Sequence, residues 1–295
     1  MNRKIDYKIN ENDTGKTVEG FLKEHGYTHQ VLVRLKQTDH GILRNGIWAY
    51  TNERLCKDDL ITVQIVENEC SDNISPVNLP LDIAYEDDDI IVINKPFDMP
   101  AHPSAGNHDN TLANALMYYY GSQNKPFVYR CINRLDRDTT GLTIVAKHAL
   151  AGGILGNAVA KRAIHRTCYA VCSGCTPACM RISAPIARKD ASTIERCVDF
   201  KRGENAVTDF IRIKYNPDNN LSLVKLRLLT GRTHQIRVHM KYIGFPLIGD
   251  FLYNPDYTYI SRQALHSGRL VFTHPVTGQK MNLISDIPSD MKSLF

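Results

Sequence analysis

No stretch of 18 or more apolar residues occurs in the 295-residue chain, which excludes a membrane-spanning helix. The first residues, Met1-Asn2-Arg3-Lys4-Ile5-Asp6, are polar and lack the apolar core of a secretion signal. A cytoplasmic protein is therefore expected. There is no internal repeat and no low-complexity tract. Charge of one sign is not in large excess either: 36 Lys and Arg against 31 Asp and Glu leave a net +5. That permits nucleic acid as a partner without demanding it. The densest basic run, Lys161-Arg162-Ala163-Ile164-His165-Arg166, reads on charge alone as a solvated helix end. Thr14-Gly15-Lys16-Thr17 imitates the end of a phosphate-binding loop, but Asn10 stands where the first glycine of that loop is required, which excludes it.

The eight cysteines, in a chain without a secretion signal, are expected to be reduced thiols. Cys168, Cys172, Cys175 and Cys179 form a C-x3-C-x2-C-x3-C pattern, and four thiolates are able to hold zinc or an iron–sulfur cluster. The pattern lacks the two CxxC knuckles of common zinc sites, however. Cys168 to Cys172 reads as a strand with both thiols on one face, so small buried hydrophobes are the expected reading and no metal site is assigned.

A composition 43% hydrophobic and 23% charged is that of a soluble globular chain, and its length suits a catalytic domain plus an accessory one. A small unit is expected over 1–70. In it, Thr17 starts a short helix that Gly26 ends, and a second helix covers Gln30 to Gln37. Ile42 to Trp48 gives a strand–turn signal, and Leu60 to Ile65 a strand. The polar stretch 71–80, with Pro76 and Pro80, reads as a linker. From 81 to 295 the pattern is mixed α and β. Ile90-Ile91-Val92-Ile93 and Gly141 to Ala146 are buried strands, and Thr111 caps a helix that stops at Gly121. Leu223 to Leu228 alternates apolar with basic residues. A helix is expected from Thr233 to Gly244, with Ile236, Met240 and Ile243 as its apolar stripe.

Two segments carry chemistry. In Asn133-Arg134-Leu135-Asp136-Arg137-Asp138-Thr139-Thr140-Gly141, arginines flank a carboxylate just before a buried strand. Nearby cations favour the charged carboxylate, which suits a nucleophile or an electrostatic stabiliser better than a general acid. The plainer reading is an ion-paired turn. In Thr230-Gly231-Arg232-Thr233-His234-Gln235-Ile236-Arg237-Val238-His239, a helix start with Arg, Thr and His suits phosphate binding. The plainer reading there is an exposed basic helix start.

Taken together these segments resemble the RluA/RluD-type family of RNA pseudouridine synthases, over roughly residues 80 to 285. The family's catalytic-loop pattern is H-R-L-D-x-x-T/S-T/S-G-L, matched by Asn133 to Leu142 with Asn133 in place of histidine. A second pattern, L-x-T-G-R-T-H-Q-I-R-x-H, is matched by Leu228 to His239. Tyr169 fits the family's strand tyrosine, and Ile93 to Pro96, Pro246 to Asp250 and Ala264 to Gly278 fit further motifs. The small unit resembles, more loosely, the RNA-binding domain named after ribosomal protein S-four. It lacks the usual basic residues on its helices, which points to a degenerate copy.

The resemblance implies an α+β fold whose catalytic domain is built on a mixed, largely antiparallel sheet with a central RNA-binding cleft. It implies that specific uridines of ribosomal or transfer RNA are isomerised without a cofactor, ribosomal RNA being favoured, and a monomer is the default. The target base must leave the stack before its glycosidic bond is reached. Asp136 then acts at the ribose, as nucleophile or as the group assisting proton loss, and Arg237 pairs with it. Tyr169 stacks on the uracil. Arg134 helps extrude the base, and Arg137, Arg166, Arg232, His234 and Lys225 are candidate RNA contacts. The rival readings are a silent RNA-binding protein on the same fold, a thiolate-metal enzyme, and a glycosidase. The last requires a second carboxylate partnering Asp136, for which Asp138 is too close in sequence.

Overall fold

The computed structural model describes residues 1–190 and 194–295. The chain opens with strand β1 (Asn2–Lys8), helices α1 (Val18–Glu24) and α2 (His29–Gln37), and strands β2 (Ile42–Arg44), β3 (Ile47–Trp48) and β4 (Leu60–Val66). These strands make one sheet in the order β1-β4-β2-β3. Both helices start where a threonine side chain accepts a backbone N–H: Thr17 from Gly20 and Thr28 from Val31. Strand β1 is absent from the sequence expectation for a physical reason. Only Ile5 of its seven residues is buried, so it carries no apolar signature and is held by pairing to β4 along its whole length.

The larger part holds β5 (Ile83–Glu86), β6 (Ile90–Lys95), α3 (Leu112–Gly121), β7 (Thr140–Ala146), α4 (Ala149–Ala160), β8 (His165–Ser173) and β9 (Cys179–Ser183). It continues through β10 (Ile186–Arg188), β11 (Arg196–Val198), β12 (Val207–Asn216), β13 (Leu221–Leu228), α5 (Gln235–Tyr242), β14 (Leu265–Thr273), β15 (Lys280–Ile284) and α6 (Ser289–Lys292). One sheet runs β5-β6-β7-β14-β8-β13-β12-β9, with β15 paired to β14; β10 and β11 form a separate two-stranded sheet. Only the short β7–β14 contact is parallel, so the sheet is mixed and largely antiparallel, as the sequence implies. That contact depends on Gly141, at φ +106°, where a Cβ would stand 2.3 Å from the Ser267 carbonyl.

The two faces of the sheet are covered differently. Leu142, Ile144 and Ala146 meet Ala151 and Leu155 of α4, while Cys168, Ala170 and Cys172 meet Ile236 and Met240 of α5. Both helices lie on one side, because Leu270 of the first cluster pairs with Arg166, which alternates in step with Cys168. The other side carries α3 and the C-terminal segment, with Met291 against Val171.

The small unit is latched to the large one. Arg3 donates to Asp89 from Nε at 2.7 Å and from Nη2 at 3.2 Å, and His148 Nε2 lies 2.9 Å from the same carboxylate. His148 Nδ1 accepts from the Ala151 N–H, so its proton sits on Nε2 and points at Asp89. Glu67 accepts from the Ala149 N–H at 2.7 Å and pairs with Arg130 at 3.0 Å. Gly26 lies so near α4 that a Cβ would fall 2.6 Å from Ile154, and Leu150 of α4 completes the core of the small unit. Arg3→Ala should therefore lower stability by about 2 kcal/mol, because it strips the buried Asp89 of a two-pronged guanidinium partner. Urea unfolding measures this; an unchanged midpoint would show that the latch contributes nothing.

Candidate active site

The loop 133–139 is held on three sides before any substrate arrives. Asn133, buried, donates from Nδ2 to the Leu142 carbonyl and accepts from the Ile144 N–H at 2.7 Å. Its amide thus stitches the loop to β7 where the family often has histidine. Gln263 donates to Thr139 Oγ1 at 2.6 Å. Lys95, almost fully buried, donates to the Pro96 and Arg137 carbonyls at 2.7 and 2.8 Å. Burial pushes its pKa down to about 7 against the pull of Asp138 and Asp136. Lys95 lay inside a matched motif, but nothing in the sequence said that its ammonium ties down the loop.

Asp136 meets Arg237 at the centre. Arg237 Nη1 donates to Asp136 Oδ2 at 2.9 Å, and its Nε and Nη2 donate to Asp250 at 2.7 and 2.8 Å. The side chain of Asp136 keeps 30% exposure, whereas those of Arg237 and Asp250 keep 2% and 0%. One buried guanidinium therefore joins a reachable carboxylate to an unreachable one. Burial works against the charge on Arg237, but its bonds to Asp250 and Asp136 outweigh that and raise its pKa. The exposed basic helix start read from the sequence does not hold for this residue. Asp250 is the missed member: Pro246 to Asp250 matched a motif, but only the fold shows its carboxylate gripping Arg237.

His234, at φ 56°, is the residue before α5; its Nδ1 lies 2.9 Å from the Tyr253 hydroxyl and its Nε2 3.9 Å from Asp136. Tyr253 also presents its ring 5.0 Å from the Arg237 guanidinium. Burial pushes His234, His239 and His266 below the usual imidazole value of 6.5. The fold thus keeps them neutral, and the unfolded chain takes up these protons first. Stability is complete above pH 6.5 and is lost as pH falls through the lower folded values. Thermal melts between about pH 7.5 and about pH 5 should show a falling midpoint well above the carboxylate range. A flat profile over that window would contradict it.

The remaining predicted residues divide by location. Arg134 is exposed and Arg166 half-buried, and neither has a carboxylate partner among the described residues. Arg137 is paired with Asp138 at 3.0 Å and Arg232 with Glu204. Tyr169 and Lys225 lie on neighbouring strands of the sheet. They pair across β8 and β13, on the face opposite to Cys168 and α5. The Tyr169 ring lies against Gly268, beside the apolar cluster of the C-terminal segment. The reason is the period of two along a strand: a single step from Cys168 reverses the face. A cavity of about 490 Å³ lined by Arg188, Arg196, Arg202, Arg232 and Glu204 adds basic residues that the sequence left scattered.

Cys168 and Cys172 are buried in the core under α5, whereas Cys175 and Cys179 are exposed, so the four do not converge. Among the described residues, the cluster within metal-ligating reach is Asp87, Asp89 and His274. Its carboxylates already accept from Arg3, Tyr85, His148 and His274.

A family model described as RNA pseudouridylate synthase matches residues 89–242. The Bacillus subtilis RNA pseudouridine synthase YjbO is 38% identical over 281 residues, covering 95% of this chain and 98% of its own. The ribosomal large subunit pseudouridine synthase D of Haemophilus influenzae is 41% identical over 245 residues, covering 78% and 75%. Among solved structures, the human RNA pseudouridylate synthase domain containing 1 superposes with a TM-score of 0.60 at 26% identity, covering 70% of this chain and 83% of that one. No helix among the described residues is long and apolar enough to cross a membrane.

Proposed function

The chain belongs to the RNA pseudouridylate synthase family, isomerases of uridine in RNA, and on that premise we propose that Asp136 carries the reaction. The supporting observation is the 2.9 Å pair between a reachable Asp136 and a buried, doubly anchored Arg237. In the reaction, the bond from ribose to nitrogen 1 breaks, the base turns, and carbon 5 bonds to the ribose. Carbon 5 gives up its hydrogen and nitrogen 1 gains one, so atoms balance without a redox partner. Asp136 acts at the ribose, and Arg237 fixes its position. We keep for Tyr169, partly buried on β8, the stacking role on the uracil that the resemblance implies.

Arg134 and Arg166, without a carboxylate partner among the described residues, are read as phosphate or base-displacing contacts, and binding weakens with salt. Arg137, Arg232 and His234 border the same region but are engaged with protein partners in the free state. Lys225 is left as a distal contact. We take 1–70 as the accessory unit, 71–80 as the linker and 81–295 as the catalytic domain of a cytoplasmic monomer. Ribosomal RNA is the favoured substrate over transfer RNA, from the names of relatives such as the Haemophilus influenzae protein. The test is to supply unmodified ribosomal and transfer RNA carrying tritium at uridine carbon 5 and to map pseudouridine in each. Release from ribosomal RNA alone supports the reading, and release from transfer RNA alone reverses the substrate. No release from either would leave the silent RNA-binding fold as the better account.

A further inference from the structure

Strands β10 and β11 set two arginines face to face. Arg188 pairs directly with Arg196 in their antiparallel register, so both side chains leave the two-stranded sheet on one side. Like charges in that position destabilise the pairing unless an anion lies between them. The other arginines nearby are answered. Arg202 donates to Asp199 at 2.8 Å and to Asp190 at 2.7 Å, and Arg232 pairs with Glu204. Arg196 donates to the Ile194 and Glu195 carbonyls at 3.0 and 3.1 Å. Arg188 is exposed and has no carboxylate partner among the described residues. These four arginines, with Glu204 as the one carboxylate, line the cavity of about 490 Å³ together with Thr233.

The cavity is tied to the reactive carboxylate. The Arg196 N–H donates to the Tyr253 hydroxyl at 2.9 Å, and that hydroxyl also lies 2.9 Å from His234 Nδ1. His234 Nε2 faces Asp136 at 3.9 Å, and Thr233, the preceding residue, lines the cavity. We propose that the cavity receives a backbone phosphate of the RNA strand, from a nucleotide flanking the target uridine, with Arg188 and Arg196 closing on it from β10 and β11. The proposal rests on the uridine-isomerase reading and adds to it a phosphate site that lies off the catalytic loop. Guanidinium forks suit phosphate oxygens, which accept two parallel N–H bonds from each. The volume is that of a site for a phosphate with its ribose rather than for a bare ion. The contacts from Arg196 through Tyr253 to His234 fix the span between this phosphate and Asp136, so a strand seated in the cavity carries a neighbouring nucleotide to the carboxylate.

Arg188→Gln is the informative variant, because no ion pair among the described residues is lost with it. By filter binding at low salt it should hold unmodified ribosomal RNA, transfer RNA and poly(U) about tenfold more weakly than the parent, the worth of one charged hydrogen bond. The factor should be similar for all three, since a phosphate contact carries no sequence information. The fall of log affinity with log salt should become shallower by about one unit of slope. Arg188→Lys keeps the charge and should recover most of the affinity. The melting temperature of Arg188→Gln should rise by about 1 °C as the repulsion with Arg196 is removed, where an arginine that supports the fold would lower it. Unchanged RNA affinity in Arg188→Gln would overturn the proposal, as would weakening toward one RNA alone, the mark of a base contact. Stabilisation of the wild type by inorganic phosphate, lost in Arg188→Gln while RNA affinity holds, would make the cavity a site for a free phosphate and overturn the RNA assignment. A wild type that releases no tritium from any RNA, but whose RNA binding still depends on Arg188, would count against the isomerase reading and leave the phosphate site standing.

Discussion

Asp136→Asn should release tritium from uridine carbon 5 at a rate about 10⁴-fold below that of the wild type, with RNA affinity and melting temperature nearly unchanged. The substitution keeps the shape of the side chain and an oxygen that accepts from Arg237, so the loop has no cause to move. It removes the charge, and with it both chemical roles open to the residue at the ribose. Because Asp136 is partly exposed and is not a pillar of the core, the loss belongs to kcat rather than to folding. Filter binding alongside single-turnover release separates these quantities. A variant that retained more than about a hundredth of the wild-type rate would move the chemistry to another group.

Arg237→Met should damage the protein twice. It leaves Asp250, with no exposed side-chain surface, as a buried carboxylate whose remaining donors are backbone N–H groups. Breaking one half of such a pair costs about 3–5 kcal/mol, which lowers the melting temperature of a chain this size by roughly 10 °C. It also frees Asp136 from its anchor, so activity falls even at temperatures where the variant is folded. The second site separates the two effects. Adding Asp250→Asn to Arg237→Met removes the orphaned charge and should recover part of the stability but none of the activity. Recovery of both would mean that Arg237 matters only as a structural cation. Arg237→Lys should fall between, since one ammonium cannot reproduce the forked contact with Asp250.

The parts that sequence reveals and the parts it hides follow from how each is encoded. Buried strands such as β6 and β7 are written as unbroken apolar runs, and Thr111 announces α3 through a capping box with Asn114. Asp136 and Arg237, 101 residues apart, were paired by resemblance, and the fold brings them to 2.9 Å. Strand β1 escaped because edge pairing needs no apolar pattern. The roles of Lys95 and Asp250 escaped because a long-range hydrogen bond leaves no local trace. Adjacent aromatic and thiol side chains look equally available in a string of letters, and only the register of β8 against β13 and β14 assigns each to a face.

The sharing of α4 between the two units bears on how such proteins diversify. Leu150 and Ile154 follow the polar stretch 71–80 in sequence but pack into the core of the N-terminal sheet and helices, and Arg3 returns the exchange at Asp89. An accessory unit grafted from a relative would have to bring a matching surface for this helix, or the helix would have to be grafted with it. Cutting the chain at the linker would likewise leave an oily stripe on the larger fragment. Inheritance in this lineage should therefore treat residues 1–70 and α4 as one block, with changes at Gly26 tracking changes at Ile154.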